Sequence, residues 1–434
     1  MKPEAFLDQF QNLERTGDFT QARTLDRMRE LLARLGDPHL KLPFVITVAG
    51  SKGKGSTSHL IASILGAAGL KTGLYTSPHI SRWNERITAN GQDISDEEIA
   101  AIISKHGDVM VRPCSNGEKA TYFEVITAIA FLHFAACGLD AVVLEVGLGG
   151  TYDAVNVCDA QVAVITQLGL EHQTVLGATL PEIAREKAGI MREGQFTILE
   201  RQPLDATTVL WRHAEETGAR KIDADRWAIE KGAAGPDYQE FSLLSGPVEY
   251  GPLRLGLLGD HQIRNARLAM MAAFAFGEKS GRNIPDEAIR RGLLGLTVPA
   301  RMEHIVEDRE WLLDGAHNTE SAEVLADAVK KHFGSMPVRL IVGMLRDKDP
   351  VAFIKNLEPL KAIEVIAVGV QSERAWSAEE LGERWQTIGL RARKAQSWSD
   401  AEQMIRADAQ PGELTVVTGS LYLAGEARKA LKKL

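Results

Sequence analysis

Residues 45–57 read V-I-T-V-A-G-S-K-G-K-G-S-T, an apolar run that leads into a glycine-rich loop. The apolar residues predict a buried strand, and the sequence after the loop predicts a helix that continues to Gly69. The three glycines of the loop let backbone N–H groups turn toward an anion, and the helix adds the positive end of its dipole. This order predicts a phosphate-binding site, although an ordinary βα turn would share the pattern.

The loop also carries side chains that suit a nucleoside triphosphate. Lys54 can reach the β- and γ-phosphates, and Ser56 or Thr57 can ligate a magnesium ion. The spacing G-x-x-G-K-G-S differs from the standard P-loop, G-x-x-x-x-G-K-[ST], because the lysine falls earlier. The loop therefore predicts phosphate binding without identifying a class of enzyme.

Composition is that of an ordinary globular protein. The chain has 434 residues, of which 25% are charged and 44% hydrophobic, so we expect two or three domains. A formal net charge of −8 argues against nucleic acid as a partner. Residues 1–20 lack the apolar core of a signal peptide, and the apolar stretch 125–139 is too short to span a bilayer. We expect that stretch to form a buried helix.

The number and spacing of the cysteines indicate the cellular compartment of the protein. Cys114, Cys137 and Cys158 are too far apart for a C-x-x-C metal pair, and their odd number favours reduced thiols. Reduced thiols predict a cytoplasmic protein, and the net charge and the lack of a stretch long enough to span a bilayer argue against nucleic-acid and membrane partners. No motif dictates an oligomer, so a monomer is expected.

Strand and helix patterns alternate and predict an α/β fold with a doubly wound, mostly parallel sheet. Residues 1–297 form the P-loop domain, and residues 298–434 form a smaller, Rossmann-like α/β domain. Residues 222–258 are broken by three Gly-Pro pairs and predict short strands added at the edge of the first sheet. Capping boxes that begin at Ser95, Ser377 and Ser399 predict helix starts.

Several polar side chains follow predicted strands, where ligands of open α/β sheets bind. Glu145 ends one strand and needs a partner, either a magnesium ion or a salt bridge or helix cap. His172 could ligate a metal, contact a phosphate or be structural, and the preference of magnesium for oxygen argues against ligation. Asp314 and His317 could hold a ribose and a phosphate, or form a turn that caps the next helix.

The local sequence does not mark either of two further basic residues as functional. Arg301 follows the linker at residues 296–299 and could reach a phosphate across the cleft between the domains. Lys187 lies on a helix that ends at Gly189, and nothing in the local sequence separates it from a solvated lysine.

Eight segments, all in the same order, resemble the folylpolyglutamate synthase and dihydrofolate synthase family, relatives of the Mur peptide ligases. They extend from about residue 44 to residue 423, and the short G-x-x-G-K spacing is the phosphate-binding signature of that family. The segments are V-A-G-S-K-G-K-G-S-T (48–57), Y-T-S-P-H-I-S-R-W-N-E-R-I (75–87), E-V-G-L-G-G-T-Y-D-A-V-N (145–156), L-E-H-Q-T-V-L-G (170–177), R-E-K-A-G-I (185–190), G-D-H-Q-I-R-N-A (259–266), L-D-G-A-H-N (313–318) and V-T-G-S-L-Y-L (417–423).

The resemblance implies ATP-dependent ligation of L-glutamate to the carboxylate of folates, and of dihydropteroate as a further acceptor, through an acyl phosphate. It implies two Mg²⁺ ions, one on Ser56 and Glu145 and one near His172, with Lys187 carried as a carbamate. The implied catalytic residues are Lys54, Lys187, His172 and His317. The implied ATP-binding residues are Gly50, Ser51, Lys52, Gly53, Lys54, Gly55, Ser56, Thr57, Gln262, Asn265, Arg301 and Asp314.

The segment after the second strand resembles the loop beside the pterin substrate in that family. The chain also departs from the family: Ser51 and Lys52 stand where Thr-Asn is common in bacterial members, Glu171 where Asp is common, and Ala300 where Gly is common. The departures remove no implied catalytic group but leave the acceptor open. The implied substrate-binding residues are Thr76, Ser77, Pro78, Asn84, Arg86 and Asp153.

Two other classes of protein share parts of this pattern. A Mur-type ligase would join an amino acid to a cell-wall precursor, but residues 75–87 and 417–423 favour a folate acceptor. A regulatory P-loop nucleotide-binding protein would need neither the D-G-A-H-N segment nor Lys187.

Overall fold

The structure is a computed structural model that describes residues 3–16, 24–372 and 374–433. Within these ranges the strands form sheets of eight, three and six strands. Among the described residues, no helix is both long and apolar enough to cross a membrane. The cysteines Cys114, Cys137 and Cys158 are free.

The eight-stranded sheet supplies the framework of the first α/β unit. Its order is fourth, third, second, fifth, first, sixth, seventh and eighth strand, counted along the chain. Every pair of adjacent strands from the second strand to the eighth is parallel. The third and fourth strands form an antiparallel extension beside the second. The predicted fold class is confirmed. The strands are β1 (Phe44–Ala49), β2 (Thr72–Tyr75), β3 (Ile87–Ala89), β4 (Gln92–Asp93), β5 (Ala141–Glu145), β6 (Val162–Ile165), β7 (Phe196–Leu199) and β8 (Arg220–Asp223).

Helices cover both faces of this sheet, which explains why its central strands are apolar throughout. Along β1, Val45 joins the apolar cluster on one face, and the next residue, Ile46, joins the cluster on the other. The predicted buried helix in residues 125–139 is confirmed as the sixth helix. The helices are α1 (Pro3–Leu7), α2 (Leu13–Thr16), α3 (Asp26–Arg34), α4 (Lys54–Ala67), α5 (Asp96–Met110), α6 (Tyr122–Ala136), α7 (Gln173–Leu176), α8 (Leu180–Ala188), α9 (Leu204–Thr217), α10 (Asp260–Ser280) and α11 (Asp286–Leu294).

Residues 228–255 form a separate antiparallel sheet, so the prediction that this region extends the edge of the first sheet is wrong. Its strands are β9 (Ala228–Ala234), β10 (Gln239–Ser245) and β11 (Val248–Leu255), with β10 in the middle. The short turns between them reverse the chain and pair each strand with the next. Among residues 220–258, all of which the structure describes, β8 alone pairs with the large sheet, at its edge beside β7.

The six-stranded sheet is the framework of the second α/β unit. Its order is β12-β13-β17-β14-β15-β16, with β12 (Glu303–Val306) antiparallel to β13 (Glu310–Leu313) and the other pairs parallel. The remaining strands are β14 (Val338–Val342), β15 (Glu364–Val368), β16 (Arg393–Ala395) and β17 (Leu414–Thr418), and the helices are α12 (Thr319–Phe333), α13 (Pro350–Leu357), α14 (Ala378–Gln386), α15 (Trp398–Asp408) and α16 (Leu421–Leu431).

The capping boxes begin the predicted helices in two of three cases. Ser95 and Ser377 cap α5 and α14, and in each the glutamate three residues on bonds back to the cap. The third prediction is wrong, because α15 is capped by Ser397, whose Oγ accepts the N–H of Asp400 at 3.2 Å. Ser399 lies inside that helix.

Helices α11 and α4 approach too closely at Gly292 to admit a side chain. A Cβ at this position would lie 2.6 Å from the Cα of Ile64. We expect Gly292→Ala to lower the free energy of unfolding by about 1–3 kcal/mol, as overpacking does. Urea unfolding measures the difference. The control is Gly66→Ala in α4, where the position is exposed and the nearest contact would be 3.8 Å away. An equal response of the two variants would contradict the close approach.

Candidate active site

The candidate active site lies at one edge of the eight-stranded sheet. Strands β2, β5, β1 and β6 are parallel neighbours, so their carboxyl ends meet at that edge. Thr76 follows β2, Glu145 ends β5, Gly50 follows β1 and Thr166 follows β6. The segments that the sequence singled out are therefore neighbours in space.

The glycine-rich loop is fastened to the end of β6. Gly50 has a φ of 147°, and a Cβ there would lie 1.8 Å from Oγ1 of Thr166. The N–H groups of Ser51 and Lys52 both donate to the carbonyl of Gln167, at 2.9 and 3.0 Å. These two amides serve the loop itself, so a bound phosphate would take its hydrogen bonds from elsewhere.

The first turn of α4 supplies those donors. Gly53 caps the helix with a φ of 87°, and the first helical backbone bond runs from Thr57 N–H to the Gly53 carbonyl. The N–H groups of Lys54, Gly55 and Ser56 thus have no partner within the helix. The positive end of the helix dipole and three amides point to the same place, which is an anion-binding arrangement.

Helix α10 packs its first turns against this loop. A Cβ on Gly53 would lie 2.3 Å from Oδ1 of Asn265, so only glycine fits beside that side chain. The amide nitrogen of Asn265 donates to Oε1 of Gln262 at 2.9 Å. The structure thereby places Gln262 and Asn265 beside the loop, and their contact with ATP stays a prediction.

Glu145 is a buried carboxylate beside the loop. Its Oε2 accepts the N–H of Ser77 at 3.0 Å, and it lies 3.4 Å from where a Cβ on Gly55 would be. Burial raises the pKa of Glu145 to about 7, against the opposing influence of the Lys54 ammonium. A buried acid with one oxygen bonded to the backbone is well suited to accept a cation.

A magnesium ion fits this arrangement only if a ligand supplies further oxygens. Among the described residues, no three His, Cys, Asp or Glu side chains cluster closely enough to hold a metal. Magnesium is commonly held by one or two protein oxygens together with substrate phosphates. Glu145 and the hydroxyl of Ser56 are the nearby protein groups of the required chemistry.

Lys187 proves to be a distinctive residue. Its side chain is buried, and its Nζ donates to the carbonyl of Gly50 at 2.7 Å and to Oε1 of Glu171 at 3.2 Å. Burial, reinforced by the nearby charge of Lys54, lowers the pKa of Lys187 to about 8. The local sequence gave no sign of this, because both partners are distant along the chain.

His172 and Asp153 flank the same edge. His172 has a φ of 47° and an exposed side chain at the start of α7. Both carboxylate oxygens of Asp153 accept backbone N–H groups, from Leu148 at 2.9 Å and Val155 at 3.0 Å. Burial raises the pKa of Asp153 to about 6. These bonds make Asp153 a buried support of the segment after β5.

The second α/β unit presents its own charged groups to this edge. Oδ2 of Asp314 accepts the N–H of Met302 at 2.9 Å, and Nδ1 of His317 lies 2.8 Å from the Gly315 carbonyl. Burial lowers the pKa of His317 and raises that of Asp314. The positive charge of the Arg301 guanidinium partly opposes the rise that burial causes in the pKa of Asp314 and in the pKa of Glu145, so Arg301 lies near carboxylates of both units.

An ion pair between Lys52, in the phosphate loop, and Glu320, at the start of α12, also joins the two units. The structure thus gathers residues from both units around one cleft.

Arg86 and Asn84 are bonded to neighbouring residues of the protein. Nη1 and Nη2 of Arg86 donate to the Glu14 carboxylate at 3.0 and 2.6 Å, and its Nε donates to Nδ1 of His79 at 3.0 Å. The Asn84 amide donates to Asp96 and to a backbone carbonyl, both at 2.8 Å. Both side chains are buried in the framework of the loop, so direct substrate contact stays a prediction for them.

The sequence missed several residues that shape the site. Gln167 holds the phosphate loop, Glu171 pairs with Lys187, and Glu14 neutralises Arg86. Glu171 was noted only as a departure from the family, and Glu14 stands in a helix of four residues with no pattern of its own. No local signal identifies a partner that is far away in the sequence.

Comparisons with known proteins agree with this geometry. The Mur ligase middle domain matches residues 48–273, and the Mur ligase glutamate ligase domain matches residues 300–421. The Bacillus subtilis dihydrofolate synthase/folylpolyglutamate synthase is 36% identical over 94% of this chain and 95% of its own length. The Escherichia coli enzyme of the same name is 35% identical over 92% and 89%.

Solved structures have the same fold. The Mycobacterium tuberculosis folylpolyglutamate synthase, described as complexed with ADP and AMPPCP, aligns with a TM-score of 0.85 and 30% identity over 99% of this chain and 97% of its own. Two α/β units around a phosphate-binding edge, matched by both domains, define the Mur ligase class. Within that class, the chain belongs to the dihydrofolate synthase/folylpolyglutamate synthase family.

The raised pKa of Glu145 predicts a pH-dependent effect on stability. A carboxyl whose pKa is about 7 when folded and 4.5 when unfolded destabilises the fold as pH rises through that window. In metal-free buffer at pH 8, we expect the free energy of unfolding of Glu145→Gln to exceed that of wild type by up to about 3 kcal/mol.

The difference should shrink toward pH 4.5, where both side chains are neutral, and urea unfolding at several pH values measures it. Glu216→Gln, at an exposed position on α9, is the control and should show no such trend. A gap between Glu145→Gln and wild type that is constant with pH would contradict the raised pKa.

Proposed function

We infer that the chain is an ATP-dependent ligase that joins L-glutamate to the carboxylate of a folate, through an acyl phosphate and with release of ADP and phosphate. The observation that carries this inference is the anion-binding turn of α4 with Glu145 and Lys187 buried beside it. Relatives of nearly the same length are named folylpolyglutamate and dihydrofolate synthases. A solved relative is described as complexed with ADP and AMPPCP, which supports ATP as the nucleotide.

The reaction has two steps. An oxygen of the acceptor carboxylate attacks the γ-phosphorus of ATP, the bond to the β–γ bridging oxygen breaks, and ADP leaves. The amine of L-glutamate then attacks the acyl carbon, loses a proton, and phosphate departs as the amide forms. Water must be excluded because an acyl phosphate hydrolyses readily, and the cleft between the two α/β units offers that shelter.

The first unit is proposed to bind the phosphates. Lys54 and the free amides of the first turn of α4 would neutralise the charge that spreads over the phosphoryl oxygens. Ser56 and Glu145 are the groups that would hold one Mg²⁺, and His172 is the proposed neighbour of a second. The bound ions would supply positive charge to the phosphate oxygens.

The second unit is proposed to complete the ATP site and to receive glutamate. Arg301 acts electrostatically on groups of both units, which supports a role between the nucleotide and the second sheet. Asp314 holds the backbone of Met302 and Ala316, so it positions the turn on which His317 stands. His317, neutral because burial lowers its pKa, is proposed to lie near the incoming amine.

We further propose that Lys187 carries a carbamate in the active enzyme. The support is the R-E-K-A-G-I match and the burial of its Nζ beneath the phosphate loop. Formation joins the neutral amine to CO₂ with loss of one proton. The ammonium bonds to Gly50 and Glu171 must then be replaced, and the new carboxylate would be an oxygen ligand for a second metal ion.

Further proposals concern the acceptor, the domain boundary, the location of the protein and its oligomeric state. The names of the relatives include both folylpolyglutamate and dihydrofolate synthases, which supports reduced folates with dihydropteroate as a further acceptor. We place the domain boundary between residues 297 and 298, in the segment between α11 and β12. Three free cysteines support the proposed cytoplasmic location, and a monomer remains the proposed state.

The test of function is release of ADP. We expect wild type to release ADP over many turnovers only when both glutamate and tetrahydrofolate or dihydropteroate are present, because the acyl phosphate persists until glutamate consumes it. Lys54→Ala should lower kcat by about 10²-fold or more, because it removes a charge that acts in the transition state. Lys105→Ala, at an exposed site on α5, should leave turnover unchanged.

A coupled assay of ADP with each acceptor in parallel measures these rates. ADP release by wild type without any acceptor would contradict the ligase. Transfer to a cell-wall precursor in place of a folate would favour the Mur-type alternative.

The carbamate is tested by ¹³CO₂ labelling of the active, Mg²⁺-loaded enzyme. We expect a carbamate signal in the ¹³C NMR spectrum of wild type that is absent from Lys187→Ala, together with loss of ligation in that variant. Lys105→Ala should keep both the signal and the activity. An active wild-type enzyme with no carbamate signal would refute the modification.

A further inference from the structure

The loop 76–86 beside the site is organised by one carboxylate. Glu85 accepts the backbone N–H groups of Ile80 at 2.8 Å and Ser81 at 3.2 Å, and that of Arg82 at 3.3 Å. The loop is also joined to the sheet edge, because Ser77 N–H donates to the carboxylate that ends β5. The conformation of this loop is therefore linked to the position of that carboxylate.

A residue of the last helix reaches across the cleft to Glu85. Nη1 of Arg428, on α16, lies 3.4 Å from Oε1 of Glu85, and its Nε donates to both oxygens of Glu303 at 3.1 and 3.2 Å. Glu303 begins β12 and its side chain is fully buried, at 0% exposure. It also receives Lys432 Nζ at 2.6 Å and the N–H of Ala300 at 3.0 Å.

The same helix also touches the loop through its backbone. A Cβ on Gly425 of α16 would lie 2.3 Å from the carbonyl oxygen of Ile80. The Ser81 hydroxyl lies 3.5 Å from the carbonyl of Gly425. The loop and the helix thus meet both by close packing and by charge.

The two carboxylates bonded to Arg428 depend on it unequally. Glu303 keeps Lys432 if Arg428 is removed, whereas Glu85 has no other ion pair in the described part of the chain. Arg428 and Glu85 are each only 15% exposed, so their attraction is screened less than that of a surface pair. Removal of Arg428 therefore weakens the loop while leaving the buried glutamate of the second unit paired.

We propose that Arg428 is a positioning residue that transmits the placement of the second α/β unit to loop 76–86, and so sets the affinity for the acceptor. The proposal rests on the proposed function, in which this loop lies beside the folate. Binding of the acceptor should then depend on a contact made by the glutamate-ligase unit, although Arg428 itself lies outside the catalytic machinery.

Arg428→Gln tests this with two independent readouts. Hydrogen exchange of a peptide covering residues 79–86 should become faster, and KM for tetrahydrofolate should rise by about fivefold or more. KM for ATP should stay within about twofold of wild type, because the contacts of the phosphate loop are untouched. Lys432→Gln is the matched control, since it removes a cation from Glu303 without touching Glu85, and it should change neither readout.

Gly425→Ala is the second variant, useful if Arg428→Gln folds poorly. Alanine is the better helix former, and its methyl group would push the Ile80 carbonyl away without altering any charge. It should produce the same rise in acceptor KM and the same faster exchange.

Unchanged exchange and KM in Arg428→Gln would overturn the proposal, as would equal effects in Lys432→Gln or an equal rise in KM for ATP. A wild-type enzyme without acceptor-dependent ADP release would overturn the proposed function instead, and the exchange experiment would still decide whether Arg428 orders the loop.

Discussion

The parallel pairing of β1 with β5 and β6 is the constraint on which the site depends. That pairing carries the glycine-rich loop, Glu145 and residues 166–167 to one edge. Without it, Gln167 could not accept the Ser51 and Lys52 amides, and Glu145 would not lie against the first turn of α4. The register of the sheet therefore sets where the functional side chains lie.

Electrostatics at this edge suit a bound polyanion that carries a cation. Lys54 and Arg301 make no ion pair among the described residues, and the amides that begin α4 have no partner in that helix. Meanwhile burial disfavours the charged form of Glu145 and of Lys187. A polyphosphate with its cation would satisfy both halves of this imbalance, since it brings negative charge to the lysine and arginine and positive charge to the glutamate.

The fold was predictable where the pattern is local. The apolar run before the glycine-rich loop predicted β1, the apolar stretch 125–139 predicted α6, and the glycine-rich segment predicted a candidate anion site. The sheet of residues 228–255 was mistaken because Gly-Pro pairs mark turns without saying which sheet receives the strands. The burial of Lys187 and the pairing of Arg86 with Glu14 could not be predicted, since each depends on residues 16 to 137 positions away in the chain. The resemblance to a family supplied the importance of Lys187, but not its contacts.

The hold of Gln167 on the phosphate loop bears on how nucleotide is captured. Because the N–H groups of Ser51 and Lys52 are already bonded to the carbonyl of Gln167, this part of the loop is ordered before a ligand arrives. The conformational entropy of these two residues is lost once, during folding, and is not lost again at each binding event. An anion that binds there therefore keeps more of its favourable interaction energy, because no ordering of these two residues has to be offset.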